Sequence, residues 1–169
     1  MGIDQVPCSG VVAPVQPGGT MKIEMDFKGL EDLVKAFEQA ASEEEIKETN
    51  KKIAEEGGRA VKEIMSGNIP RSADTSKSGR GFGSKSHVAN HAADEIPLGK
   101  PKVKGTGVSE EVGWEKSDNS EHFYVKFINW GTIYQPPREF IYKTGREADS
   151  KLQEIAEKEY QAFLGRTVG

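Results

Sequence analysis

Cysteine is nearly absent from this chain of 169 residues, since Cys8 is the only one. A single thiol excludes an internal disulfide and a metal site built on cysteines, and a reducing cytoplasm is the expected place of synthesis. Long apolar runs are missing too: none approaches the roughly 20 residues that a membrane-spanning helix needs. The first residues contain no basic region followed by an apolar core, so no secretory signal is expected.

The chain also lacks a large excess of charge of one sign, because its net charge is −4 although 30% of its residues are charged. Such a balance favours a soluble protein and argues against general binding to nucleic acid. The charge is unevenly distributed, however. Residues 71–104 contain seven basic and three acidic side chains, a net +4, whereas residues 21–66 are acidic by about the same amount. A basic segment on an acidic body predicts a polarised surface, suited to head-to-tail subunit contacts or to facing DNA.

The first third of the chain contains three predicted segments. Residues 1–20, rich in small residues, glycine and proline, predict a disordered arm or a leader. A first strand is predicted at residues 22–27, where charged and apolar side chains alternate. Apolar residues at helical spacing then predict a short amphipathic helix from Leu30 to about Ala41.

A long second helix is predicted to begin at Ser42, because Ser42 and Glu45 have the spacing of a capping box. Gly67 followed by Pro70 predicts its end. The pair Gly57-Gly58 lies in the middle of this helix. Adjacent glycines there predict either close packing against another element or a bend.

The central part of the chain predicts a flexible loop followed by short strands. Residues 71–85, rich in Ser, Gly, Lys and Arg, are expected to be mobile, and residues 88–96 to form a short helix. A strand around Val103 is predicted to turn at residues 105–107 into the next one. Residues 111–132 then predict an aromatic hairpin, whose second strand directs Phe123, Val125 and Phe127 into the core.

The last element is a helix whose apolar face runs from Ile141 to Phe163, with Gly165 as its stop. The predicted fold class is therefore α+β: a small antiparallel sheet of three to four strands packed against a long N-terminal helix and a C-terminal helix, with a mobile basic loop. Residues 21–164 are expected to form one domain, and residues 165–169 a tail.

Few residues of the chain suggest catalysis or metal binding. His87 and His91 are spaced i and i+4, as zinc ligands on a helix can be, but the glutamate of a metalloprotease motif is absent. The glycines at 79, 81 and 83 lack the Gly-Lys-Ser/Thr ending of a phosphate-binding loop, so they predict a flexible loop. No Ser/His/Asp arrangement can be assigned. We therefore expect no enzyme, no cofactor and no metal.

Trp114, Trp130 and Tyr134 admit two interpretations, a ligand cage or residues of the core and a subunit interface. The second is the more frequent role of aromatic residues on strands. A subunit interface is accordingly predicted where the aromatic segment ends. Its residues are Trp114, Trp130, Gly131, Pro136, Pro137 and Phe140.

Four motifs in this order are similar to those of a known family. They are Gly29-Leu30-Glu31-Asp32-Leu33, His91-Ala92-Ala93-Asp94-Glu95-Ile96-Pro97, Val112-Gly113-Trp114-Glu115-Lys116-Ser117-Asp118-Asn119-Ser120 and Phe123-Tyr124-Val125-Lys126-Phe127-Ile128-Asn129-Trp130-Gly131-Thr132. From Met21 to about Leu164 the chain resembles the tail-component family (tail completion, head–tail joining or neck) of long-tailed bacteriophages and of prophages of Gram-positive bacteria. It departs from the family pattern at Asn129-Trp130 and in the spacing from Pro137 to Phe140.

The resemblance implies a structural virion protein that forms a ring at the head–tail junction, expected to be a hexamer, and that is present in the host cytoplasm during assembly. Implied partners are other copies of the chain, head-closure or connector proteins, and the tail terminator or tail tube. No membrane is expected to take part. A basic loop is expected to face the lumen, the passing genomic DNA or a neighbouring ring, and it contains Arg71, Lys77, Arg80 and Lys85. The alternatives are a small nucleic-acid-binding protein acting through residues 71–104 and a zinc hydrolase using His87 and His91.

Overall fold

The computed structural model describes residues 31–71, 90–115 and 117–167. Three predicted segments lie wholly or almost wholly outside these residues: the N-terminal arm at 1–20, the first strand at 22–27, and the basic loop after Arg71. The described residues form the helices, the short strands and the core.

The first two helices confirm the sequence prediction. α1 spans Glu31–Ala40 and α2 spans Glu43–Asn68. The capping box at the start of α2 is complete: the Ser42 hydroxyl accepts from the Glu45 backbone N–H at 3.4 Å, and the Glu45 carboxylate accepts from the Ser42 backbone N–H at 2.9 Å. Two of the backbone donors that a helix start leaves unpaired are thereby satisfied.

The last helix, α4, spans Phe140–Thr167 and runs antiparallel to α2. Asn68 at the end of α2 donates to Glu147 near the start of α4 at 2.6 Å, and the Tyr160 hydroxyl donates to Asn50 at 2.9 Å. The helix was correctly predicted, but its stop was not. Gly165 lies inside the last turn, and the helix continues to Thr167.

Two apolar clusters fill the space along the α2–α4 pair. One, around Met65, Trp114 and Phe140, lies where α2 ends and α4 begins. The other, around Ile53, Tyr160 and Phe163, lies towards the opposite ends of the two helices and receives Leu33 from α1. Because each helix buries one face in both clusters, burial of apolar side chains links the two ends of the molecule.

The sheet seen in the described residues has two antiparallel strands. β1 spans Lys102–Lys104, β2 spans Gly107–Ser109, and Val103 lies opposite Val108. Gly105 turns between them with φ = +64°, a conformation that favours glycine. The predicted strand pair is confirmed, and the coarse α+β class holds. A third and a fourth strand are not seen among the described residues.

The predicted aromatic strand at residues 123–128 is wrong, because the chain there forms a short helix, α3, spanning Val125–Trp130. Val125 is 1% exposed and belongs to the core as predicted, whereas Phe127 is 46% exposed and does not. Val125 and Asn129, four residues apart, share the buried face. The helix predicted at residues 88–96 is likewise reduced, within the described residues, to a single 3-10 turn at Ala92–Asp94.

Candidate functional site

The most exposed apolar side chains of the described residues lie at the tip of a two-residue hairpin between α3 and α4. We call residues 132–135 the exit hairpin. Thr132 donates its backbone N–H to the Gln135 carbonyl at 2.8 Å, and Gln135 returns a bond of 3.3 Å. Ile133 and Tyr134 at the tip are 89% and 91% exposed. Two adjacent large apolar side chains at a protruding tip are a candidate surface for contact with another molecule.

The exit hairpin is held rigidly at its base. Gly131 enters it with φ = +76°, and a Cβ there would lie 2.7 Å from the Gln135 carbonyl oxygen and from the Pro137 nitrogen. The segment that leaves the hairpin is bound to α3, because Arg138 and Glu139 donate backbone N–H groups to carbonyls of that helix at 3.1 Å. Proline at 136 and 137 further restricts the backbone. The tip is therefore preorganised, which lowers the entropy cost of binding.

Asn129 connects the hairpin base to the last helix. Its side chain is buried, and its Oδ1 accepts the backbone N–H of Ile141 at 3.1 Å. That N–H is one of the donors that the first turn of α4 cannot pair internally. Asn129 thus caps α4 from outside the helix and fixes the direction in which the hairpin leaves the body.

The structure separates the residues predicted for the subunit interface into two groups. Trp114 and Phe140 are buried in the core, and Trp130 is partly buried and packs against it. Pro136 and Pro137 are exposed, and Gly131 is half-buried at the hairpin base. Ile133 was not selected from the sequence, and Tyr134 was considered both for a ligand cage and for the core and a subunit interface. The available signal was two large apolar residues between Gly131-Thr132 and a pair of prolines.

The described histidines occupy positions inside the fold. His122 is buried, its Nε2 lies 2.9 Å from Glu95 Oε2, and its ring lies edge-on to the rings of Trp114 and Tyr124, each at 6.2 Å. Hydrogen bonds from Asn90 first and from His122 second hold the pKa of Glu95 below its usual value. This cluster ties the segment before β1 to the segment before α3.

His91 serves as a cap, since its Nδ1 accepts the Ala93 backbone N–H at 3.1 Å. Burial is the main cause that lowers the pKa of His91, and the charge of Arg71 adds to it. His87, the other half of the predicted zinc pair, lies outside the described residues. Within residues 31–71, 90–115 and 117–167, no three His, Cys, Asp or Glu side chains are grouped to hold a metal ion.

Two side chains in the described part of the predicted basic segment form ion pairs. Arg71 binds Asp94 through both terminal nitrogens, at 3.0 and 2.7 Å, which raises the pKa of Arg71 and lowers that of Asp94. Lys102 binds Glu111 at 3.1 Å. Lys77, Arg80 and Lys85 lie outside the described residues.

A cavity of about 290 Å³ opens between the first turns of α2 and the last turns of α4, at the end of the helix pair away from the exit hairpin. We call it the end cavity. Phe163 supplies apolar surface, and the other lining residues are polar or charged. The full lining is Glu45, Glu48, Thr49, Lys52, Phe163 and Arg166.

Comparisons with models of protein families, with curated proteins and with solved structures find no match to this chain. Among the helices of the described residues, none combines the length and the apolar character that crossing a membrane requires.

Proposed function

We propose that this chain is a structural subunit of a ring at the head–tail junction of a long-tailed bacteriophage, where it completes the tail and joins it to the head. The observation that supports the proposal is the rigid exit hairpin, which holds Ile133 and Tyr134 in water in the isolated subunit. A protein that works by assembly needs such preformed contact surfaces. The motif order that resembles the tail-completion family supports the same role.

The internal chemistry of the fold favours a structural role over a catalytic one. His122, with its carboxylate partner Glu95, lies between aromatic rings in the core, and His91 caps a turn. A general acid or base has to reach substrate. These side chains stabilise the connections between elements instead.

The proposal includes a third strand, formed by residues 22–27 beside β1. Lys102 and Lys104 lie on one face of β1 and Val103, which is exposed, on the other. Residues 22–27 alternate in the same way, with Glu24 and Asp26 on one face and apolar residues on the other. Paired beside β1, that segment would set acidic against basic side chains and cover Val103.

Truncation tests this third strand. Deleting residues 1–28 is expected to lower the melting temperature, whereas deleting residues 1–20 is not. Equal melting temperatures for the two truncations would contradict the strand.

The role itself is tested in particles produced without the protein. We expect filled heads and complete tails that do not join, and no infectious particles, in electron micrographs and plaque assays. Supplying wild-type protein or Tyr142→Ala is expected to restore joining, and supplying the double variant Ile133→Ala/Tyr134→Ala is not. Infectious virions formed without the protein would refute the proposal. Normal joining together with salt-dependent DNA binding at micromolar protein would favour the alternative, a nucleic-acid-binding protein.

A further inference from the structure

Residues 97–113 form a two-stranded ribbon that lies against α2, and we call them the β-ribbon. β1 and β2 form its tip, and nearer its base the Gly99 backbone N–H donates to the Glu111 carbonyl at 2.8 Å. We propose that the β-ribbon is a pH-sensitive clasp on α2, which is closed while the Glu110 carboxyl is protonated and loosens when it ionises. The inference goes beyond the proposed function, since it rests on contacts within one subunit.

The β-ribbon is anchored firmly at its base and lightly at its tip. Val112 at the base is 5% exposed and belongs to the core. At the tip Val103 is exposed, Val108 is half-buried, and the Asn50 side chain donates a hydrogen bond to the Thr106 carbonyl at 2.9 Å. A segment with few buried apolar side chains opens locally at low cost. A modest change in free energy between base and tip can therefore decide whether the tip stays on α2.

Glu110 lies between these two anchor points, and its charge can change. Its carboxyl is so close to Gly58 that a Cβ there would have no space. Glu110 is buried, and within the described residues its Oε2 has no hydrogen-bond partner. Burying a carboxylate that has lost water without gaining a hydrogen bond is costly, whereas burying the neutral acid costs much less. Ionisation therefore favours an arrangement that returns the carboxyl to water.

The part that can move is the β-ribbon, because Gly58 lies inside a continuous helix of 26 residues. That helix also packs against α4 through both apolar clusters. The tip of the β-ribbon has no comparable apolar contact among the described residues, since the three residues of β1 are all exposed. Ionisation of Glu110 is thus expected to lift the tip and to leave the helix pair intact.

The charged side chains that act on Glu110 lie on α2. Burial is the main cause that raises the pKa of Glu110, the charge of Glu55 adds to it, and Arg59 opposes it. On the β-ribbon itself, the neighbouring Glu111 is paired with Lys102 at 3.1 Å. Because the closed clasp holds the proton more tightly than the open one, it is fully stabilised below the usual pKa near 4.5. This stabilisation is lost as pH rises through the pKa of the closed state.

Amide hydrogen exchange of the full-length protein, followed by NMR, measures the opening. Two strands without the support of another element are marginally stable in water, so a lifted tip loses its cross-strand hydrogen bonds. The reference is the Ile69 amide, which donates to the Met65 carbonyl at the end of α2. Between pH 4 and pH 7, the protection factors of the β1 and β2 amides relative to Ile69 are expected to fall by about threefold or more.

Two neighbouring variants assign the effect to one carboxyl. In Glu110→Gln the relative protection is expected to stay constant with pH, because the amide does not ionise. Glu111→Gln is the matched control, since it removes the same charge one residue away, and the wild-type fall with pH is expected to remain. A constant ratio in the wild type, or an equal fall in Glu110→Gln, would overturn the proposal.

The ionisation of Glu110 can also be followed directly, through the NMR signal of its carboxyl carbon. We expect a midpoint above the usual value near 4.5, and a midpoint at or below that value would overturn the clasp. Glu55→Gln removes a like charge and is expected to lower the midpoint, whereas Arg59→Gln removes an opposite charge and is expected to raise it. Shifts in the reverse directions would show that the carboxyl does not face α2, as the clasp requires.

Discussion

The carboxyl group of Glu110 lies against Gly58 in the middle of α2. A Cβ at position 58 would be 2.9 Å from the carboxyl carbon and 3.0 and 3.1 Å from its two oxygens. Glu110 is buried, and its Oε2 has no hydrogen-bond partner within the described residues. Gly58 therefore serves close packing: it lets the segment after β2 lie directly on the surface of α2, which continues through both glycines.

Replacing Gly58 tests this packing. Alanine raises the helix propensity by about 1 kcal/mol, but at position 58 it displaces the Glu110 carboxyl. Gly67→Ala is the matched control in the same helix, since a Cβ there meets nothing within 4 Å. We expect Gly58→Ala to be less stable than Gly67→Ala by about 1–2 kcal/mol in urea unfolding.

A double-mutant cycle separates the contact from helix propensity. When Glu110 is already alanine, Gly58→Ala has no carboxyl to displace, so it is expected to stabilise the protein by up to about 1 kcal/mol. If Gly58→Ala changes the free energy of unfolding equally with and without the Glu110 side chain, the close approach between them does not affect stability.

Glu110 also predicts a pH dependence of stability. Burial raises the pKa of Glu110 above its usual value, the charge of Glu55 adds to this, and Arg59 opposes it. Since the folded state holds the proton more tightly than the unfolded state, the stabilisation is complete below the unfolded pKa near 4.5 and is lost as pH rises through the folded pKa. Glu110→Gln stays neutral throughout. Its melting temperature relative to wild type is expected to rise between pH 4 and pH 7; a constant difference would contradict the prediction.

The long helices and the turn between β1 and β2 were predicted correctly. The capping box at Ser42 and the turn at Gly105 specify local backbone through particular side chains or φ values, and the long helices repeat one apolar face over many turns. The segment at residues 123–128 has no such signal. Its aromatic and β-branched residues are typical of strands, but such a preference depends on packing context. Burial of Val125 and Asn129 on one helical face decided the outcome.

The subunit interface expected where the aromatic segment ends stays a prediction. The chain there does form a turn, since Gly-Thr and Pro-Pro restrict the backbone on either side. Which of these side chains are buried and which are exposed could not be predicted from the sequence. Trp114 and Phe140 lie in the core, and the two apolar residues exposed at the tip, Ile133 and Tyr134, can be recognised only from accessibility in the folded chain.

The capping box at the start of α2 can be tested by removing the serine side chain. Ser42→Ala removes the acceptor for the Glu45 backbone N–H and is expected to cost about 1 kcal/mol of stability. Ser150→Ala, at an exposed position inside α4, is the matched control and is expected to be neutral or slightly stabilising. Guanidinium unfolding measures both. Equal stabilities for the two variants would show that the first turn of α2 does not depend on its cap.

Asn129 allows the orientation of the exit hairpin to be tested separately from its composition. Asn129→Ala leaves the Ile141 N–H without its acceptor in a buried position, so we expect a loss of about 1–2 kcal/mol. Asn129→Asp retains an acceptor oxygen at a helix N-terminus and is expected to keep most of the stability.

Since Asn129 also accepts the Glu139 N–H through its backbone carbonyl, the hairpin base remains attached in both variants. Self-association should therefore weaken more in Asn129→Ala than in Asn129→Asp when both are measured well below their melting temperatures, because only the alanine variant frees the start of α4. Equal self-association in the two variants would show that the cap stabilises the helix without orienting the hairpin.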